Sequence, residues 1–337
     1  MIAAPLPLAR RAACLGGGTG IVAVARGLLE HGMEVTAVVA TTDNGRSSGL
    51  ARRLFDIPAP GDIRNVISAF ATEVSIRDAF EYRLTTPTLP ELTGAAFGNL
   101  VLGVLTKTSG SFEEAVTIAA RIAGTRITVE PVTAVSADLC AELADGSVVR
   151  GEVDVRRPGK PPIRRVFLDP PAAATESALR AIREAELVTL GPGSLFTSVL
   201  ACLAVNGIPE ALAASTGQRV YIANTTTQPG QSDDVPLAAQ IDLLLSATGN
   251  AIDAVLVDES EPDAAVVARH RAAGRELLRL SPLERETFEA RGLRIVSADV
   301  AERGAPPRTL WQKEDAIRHD AARVGAVLAR LLTEQSA

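Results

Sequence analysis

Apolar positions along this chain come in alternating short and long blocks. Residues 12–15 are a short apolar block, Gly16 to Gly20 hold four glycines in five positions, and residues 21–28 carry apolar side chains at helical spacing before His31 and Gly32. That order predicts strand, glycine turn and helix. Residues 34–40 are a continuous β-branched run and predict a second strand, so the pair reads as a parallel βαβ unit. Helical patterns follow at 63–70, 97–108 and 112–123, the last opened by the Ser111 and Glu114 capping pair.

The texture changes at 127–155, where polar and apolar residues alternate and Asp145-Gly146 separates 139–143 from 148–153. This predicts a hairpin inside a small antiparallel insertion at about 127–165. The βα rhythm then resumes with a helix at 176–185 and strands at 187–190, 220–223 and 254–257. A strand at 294–296 and an amphipathic helix at about 314–332 close the chain. The fold class is therefore α/β: a doubly wound, mostly parallel, Rossmann-like sheet in a three-layer αβα sandwich, with an antiparallel β insertion and a helical C-terminal extension. Residues 12–258 are expected to form the nucleotide-binding domain, and 259–337 an extension packed on it.

Composition narrows the function classes. The net charge of −6 and an aromatic content of 3% disfavour nucleic-acid partners, which need a basic footprint or stacking rings. The longest apolar run falls short of the about 18 residues that span a membrane, so a cytoplasmic protein without membrane attachment is expected. Cys14, Cys140 and Cys202 lie far apart in apolar stretches, which suggests buried, reduced thiols.

In open parallel sheets, ligands bind beyond the carboxyl ends of the strands. Four loops should meet there: Gly16, Gly17, Gly18, Thr19 and Gly20; the run holding Asp43, Asn44, Arg46, Ser47 and Ser48; the run holding Gly191, Gly193, Ser194, Leu195 and Thr197; and the run holding Asn224, Thr227 and Gln228. A glycine turn opening a helix offers unpaired N–H groups and the positive end of the helix dipole to a phosphate. The dinucleotide fingerprint fails because Ile21 stands where its third glycine is needed. The P-loop fails because Lys107, Lys160 and Lys313 are the only lysines and none sits in that setting.

Two helix N-termini suit a diphosphate, whose charge exceeds what one dipole of about half a unit charge balances. Ser194 could also act only as an N-cap. Asp43, 23 residues beyond Gly20, could accept a ribose hydroxyl, hold magnesium, or simply close an Asx-turn. Arg46 and Arg64 can fork onto phosphate, although Arg64 could instead pair with Asp62 or another acid. Asn65 stands beside Arg64, and Asn99, Asn224, Thr227 and Gln228 are suited to reading a base or sugar. His31, His270 and His319 are expected to lie remote from these loops, so Ser-His-Asp chemistry has no support.

Six motifs in order, Gly-Gly-Gly-Thr-Gly at 16–20, Asp-Asn-Gly-Arg-Ser-Ser-Gly at 43–49, Pro-Gly-Asp-Ile-Arg-Asn at 60–65, Gly-Asn-Leu at 98–100, Gly-Pro-Gly-Ser-Leu at 191–195 and Thr-Gln-Pro-Gly at 227–230, resemble the CofD-like superfamily. The closer resemblance is to its gluconeogenesis-factor (YvcK-like) branch, and the more distant one to 2-phospho-L-lactate transferase, CofD. The branch implies a UDP-sugar type of ligand and a role in carbon metabolism and cell shape, without an established reaction. CofD implies a magnesium-dependent transfer from a nucleotide-activated donor, in which Asp43 would be catalytic. The chain departs from the branch at Asn44 and Arg46, where a second acid and a glycine are usual, at Ala95, where a His is usual, and at Gln231-Ser232, which replace an acid and a Thr. The reading taken forward is a nucleotide-sugar-binding regulator, with magnesium and a nucleotide diphosphate as the cofactors the resemblance implies. A homodimer is left open.

Overall fold

The structure is a computed structural model and describes residues 10–233, 235–303 and 317–335. Strand β1 (Arg11–Gly16) leads into α1 (Gly20–Glu30) and β2 (Glu34–Val39). Helices α2 (Arg46–Phe55), α3 (Gly61–Phe70), α4 (Val74–Glu81), α5 (Phe97–Ser109) and α6 (Phe112–Ala123) then precede β3 (Thr128–Pro131). The antiparallel unit holds β4 (Asp138–Leu143), β5 (Val148–Arg150), α7 (Glu152–Val155) and β6 (Ile163–Asp169). Next come α8 (Glu176–Glu184), β7 (Leu187–Leu190), a π-helical turn at Leu195–Val199, α9 (Leu200–Leu203), α10 (Ile208–Ala214), β8 (Gln218–Ile222), α11 (Leu237–Ala247) and β9 (Ala254–Asp258). The chain ends with α12 (Ala264–Ala272), α13 (Pro282–Ala290), β10 (Arg294–Ala298) and α14 (Ala321–Gln335).

Seven strands form one parallel sheet in the order β10-β9-β8-β7-β1-β2-β3, and β5-β4-β6 form the antiparallel sheet. The main sheet thus grows outward from β1 in both directions. The order reverses between β1 and β7, where Leu15 lies opposite Leu190. Alternation along β1 sends Ala13 and Leu15 into one core and Ala12 and Cys14 into the other, so both faces of the sheet are covered. The expected α/β architecture is observed. Burial pushes the Cys14 and Cys202 thiols up to about 12, and all three cysteines are free and buried. No helix among the described residues is long and apolar enough to cross a membrane.

Three details differ from the sequence reading. Thr128–Pro131 pairs in parallel with β2 and so joins the main sheet, while the antiparallel sheet runs from Asp138 to Asp169. Alternation alone cannot say which neighbour a strand will pair with. The second hairpin arm stops at Arg150, because Gly151 takes φ +89° and turns the chain into α7. The last helix begins at Ala321; residues 317–320 precede it in non-helical form, and 314–316 lie outside the described residues.

Helix α14 lies on α1 with backbone against backbone. A Cβ on Gly27 would stand 2.1 Å from the Ala321 carbonyl oxygen, and one on Gly325 would stand 2.5 Å from that of Gly27. Around this contact Val24 and Leu28 pack with Val324 and Leu328 in a shared core. Gly27→Val should therefore push α14 off α1 and lower stability by about 1–3 kcal/mol, the usual range for overpacking. Urea unfolding of the variant beside the parent protein measures this, and an unchanged midpoint would contradict the close approach.

Candidate functional site

The reversal between β1 and β7 places two glycine-rich turns side by side. Hydrogen bonds from Gly191 N to Leu15 O (2.9 Å) and from Ala40 N to Gly16 O (2.9 Å) set the loops after β7 and β2 against the first turn. Glycine is required here by protein neighbours. A Cβ on Gly20 would meet the Pro192 carbonyl oxygen at 1.8 Å, one on Gly17 the Ser198 hydroxyl at 2.5 Å, and one on Gly18 the Asp62 backbone at 2.7 Å. The space beside these glycines is thus filled by adjoining loops. What remains for a ligand is the row of backbone N–H groups.

Helices α1, α2, α3 and α5 and the π turn after Ser194 all start without a side-chain cap. Helices α6, α8, α12 and α13 are capped by Ser111, Thr175, Asp263 and Ser281, while α4, α7, α9, α10 and α11 also start without a side-chain cap. An uncapped N-terminus presents orphan donors and positive dipole. Such donors on neighbouring loops are the kind of group that anions bind. Ser194 does not cap its turn; its hydroxyl faces the Gln231 amide at 3.4 Å.

Asp43 closes an Asx-turn, with Oδ1 accepting from Gly45 N (2.7 Å) and Oδ2 accepting from the Ser48 hydroxyl (2.5 Å). It also faces α3, since a Cβ on Gly61 would lie 3.0 Å from Asp43 Oδ2. Asp62, the next residue, stands in the first turn of α3 against Gly17 and Gly18. Two carboxylates therefore flank Gly61 beside the glycine turn. Magnesium takes one or two carboxylates and fills the rest of its shell with water and phosphate oxygens, so this pair fits such an ion. No cluster of three or more His, Cys, Asp or Glu exists among the described residues.

Several expected ligand contacts are occupied by the protein itself. Asn44 Oδ1 accepts from Val153 N (2.9 Å), which ties the loop after β2 to α7. Asn224 Oδ1 accepts from Gly193 N (3.1 Å) and its Nδ2 donates to Gly193 O (2.6 Å), so both backbone polar groups of Gly193 are engaged. Thr227 pairs with Glu276 through backbone and hydroxyl. The Gln228 N–H donates to Ser232 Oγ, and its side-chain oxygen accepts from Gln231. Thr197 donates to Gln231 Oε1 at 3.3 Å, and Leu195 is buried in the core.

On the β2 side, the Ser47 hydroxyl accepts from Ala96 N (2.8 Å) and Asn99 Nδ2 (2.9 Å). Buried Arg64 pairs with Glu81 at 2.5 Å and donates to Asn65 Oδ1. It does not pair with Asp62. Arg64 Nε and Asn99 Oδ1 are buried without a hydrogen-bond partner. Arg46 is exposed at the start of α2.

Sequence reasoning missed Arg83, Ser198, Gln231 and His319. Arg83 donates to Gly94 O (3.3 Å), and its pKa is lowered by burial first and by the neighbouring Arg64 charge second. Ser198 lies three residues beyond the Gly-Pro-Gly-Ser-Leu run, and its spacing from Ser194 on one helical turn was the available signal. Gln231 stands out in sequence only as a departure from the family pattern. The expectation that all three histidines lie remote from the loops is corrected for His319. Its ring bonds to the Ala223 backbone, directly before Asn224, and Thr225 Oγ1 donates to Ile317 O (2.7 Å). Ile317 and His319, just before α14, thus meet the loop after β8, a long-range contact that no local pattern reveals.

The family described as 2-phospho-L-lactate transferase CofD matches residues 13–301. The gluconeogenesis factor of Bacillus subtilis is 35% identical, over 96% of this chain and 98% of that protein. The gluconeogenesis factor of Halalkalibacterium halodurans is 33% identical, over 93% and 94%. A crystal structure of a UPF0052-family protein from Bacillus halodurans superposes with a TM-score of 0.86 at 32% identity, over 95% of this chain and 99% of that one.

His319 supplies a pH test of the rim. The residue is partly exposed, but its Nε2 is sealed from solvent without a partner. Burial lowers its pKa from 6.5 to about 4, against the raising effect of Asp258. The unfolded chain therefore binds a proton between these values that the folded protein refuses. Stability should fall as pH drops from about 6.5 to about 4, by up to about 3 kcal/mol over the whole interval. Urea unfolding across that range should show a shallower fall for His319→Gln, and parallel profiles for parent and variant would contradict the burial of Nε2.

Proposed function

The chain belongs to the CofD family, and we propose that it is a nucleotide-sugar-binding protein of the gluconeogenesis-factor type, taking a UDP-sugar and acting in the cytoplasm to regulate carbon metabolism and cell shape. One observation carries this reading: the uncapped starts of α1 and of the π turn converge where β1 and β7 end, and the uncapped start of α3 lies against the same glycine turn. The diphosphate lies along the amides of Gly17 to Gly20 and those that open the π turn after Ser194. Because Gly193 N–H is bound to Asn224, the second seat begins one residue later than the motif suggested. Relatives named gluconeogenesis factor, matched along nearly their whole length, support the regulatory role.

A second reading is a transferase of the CofD type, favoured by the carboxylates of Asp43 and Asp62 beside the glycine turn. Magnesium held there would neutralise charge on the departing nucleotide diphosphate. The same amides would stabilise that diphosphate, and Asp43 and Asp62 would orient it.

Thermal unfolding with UDP-glucose, UDP-N-acetylglucosamine, GDP and GTP, each with and without magnesium, separates the two. A ligand at about 100 times its dissociation constant adds about 2.7 kcal/mol of stability. Stabilisation by a UDP-sugar is the expected outcome, and none with any UDP-sugar would refute the first reading. Stabilisation by a guanine nucleotide that requires magnesium would establish the second.

A further inference from the structure

The antiparallel insertion reaches the rim through residues 151–160, and these touch three of the loops that surround the crevice. At one end Val153 N donates to Asn44 Oδ1 in the loop after β2 (2.9 Å), and a Cβ on Gly151 would meet the Asn44 side chain at 2.1 Å. In the middle α7 packs on the π turn after β7, with Val155 buried in the same core as Leu195 and Phe196. At the other end Lys160 Nζ donates to the Gly230 carbonyl in the loop after β8, and to Arg157 O at 3.0 Å. A Cβ on Gly230 would stand 2.1 Å from Arg156 O, so the two backbones touch.

In the sheet, β8 and β2 flank the β7-β1 pair. A segment fastened to the loops after β2 and β8 therefore crosses the mouth of the crevice between them. We propose that residues 151–160 are a gate for ligand exchange, clasped by Asn44 on one side and by Lys160 on the other. This rests on the crevice being the nucleotide-sugar site. Closed, the segment shuts bulk water off from the diphosphate and strengthens its bonds to the amides.

The segment is built to open. Val155 is the one buried apolar side chain in it, and residues 156–159 are exposed, which places it at the low-stability end of the fold. Gly151 at φ +89° and Gly159 at φ +77° bracket it, and nothing lies within 4 Å of where a Gly159 Cβ would be. The Lys160 clasp is weak by design of its partners. Its ammonium is held by two carbonyl oxygens, and burial lowers its pKa while Asp233 acts the other way. By contrast β6, which follows the segment, is locked to β4 in a six-pair antiparallel ladder.

Lys160→Met removes the clasp and keeps the aliphatic stem. Stopped-flow binding of UDP-glucose should show association and dissociation both faster by at least about fivefold, with the dissociation constant changed by less than about threefold, since opening precedes both steps. Faster dissociation with unchanged association would make Lys160 a ligand contact and overturn the gate. Hydrogen exchange on the ligand-free protein tests the same point independently of any ligand. Amides of 151–157 should exchange at least about tenfold faster in Lys160→Met, with those of β4 and β6 unchanged. Exchange of 151–157 only together with β4 and β6 would overturn the gate, even if UDP-glucose bound neither protein and the functional reading itself had failed.

Discussion

Backbone meets backbone where β1 and β7 end, and the rest of the site depends on that approach. Gly20 lies against the Pro192 carbonyl, and Gly17 and Gly18 against Ser198 and Asp62. These close approaches draw the starts of α1, α3 and the π turn together. The concentration of positive dipole follows from this packing, and two carboxylates at Asp43 and Asp62 sit beside it.

The same economy recurs on the opposite side of α1. Gly27 and Gly325 let α14 contact α1 directly, so the helix that carries the glycine turn is held from both sides. The returning segment before α14 also binds the loop after β8, through Ile317 and His319. One stretch of chain therefore supports both walls of the crevice. Asp258 adds to this support: its carboxylate accepts from Val300 N (3.0 Å) and from the Ser260 hydroxyl (2.7 Å), which fixes the end of β9.

Much of the polar inventory near the crevice serves the protein before any ligand. Asn224 and Thr227 were legible in the sequence as candidate readers of a base or sugar, and Asn44 as a candidate ligand contact, yet each is used to join one loop to another. An amide or hydroxyl looks alike in sequence whether it faces a ligand or a neighbouring backbone. The difference lies in the neighbour, which is set by topology. Conversely Arg83 and Gln231 carried no distinctive local signal and were placed at the site only by the fold.

From local order alone, the βα rhythm, the glycine turns and the rim on which they lie could be derived, because hydrophobic period and turn chemistry act over a few residues. Ser111 with Glu114 and Asp145-Gly146 were likewise read correctly as a helix start and a hairpin turn. Tertiary structure alone decided that β3 joins the parallel sheet, that 151–160 turns away from the hairpin to span the crevice, and that His319 returns to Ala223. Each of these is a contact between segments distant in sequence. Its free energy depends on which surfaces the completed sheet brings together, and that information is not stored in any short stretch of chain.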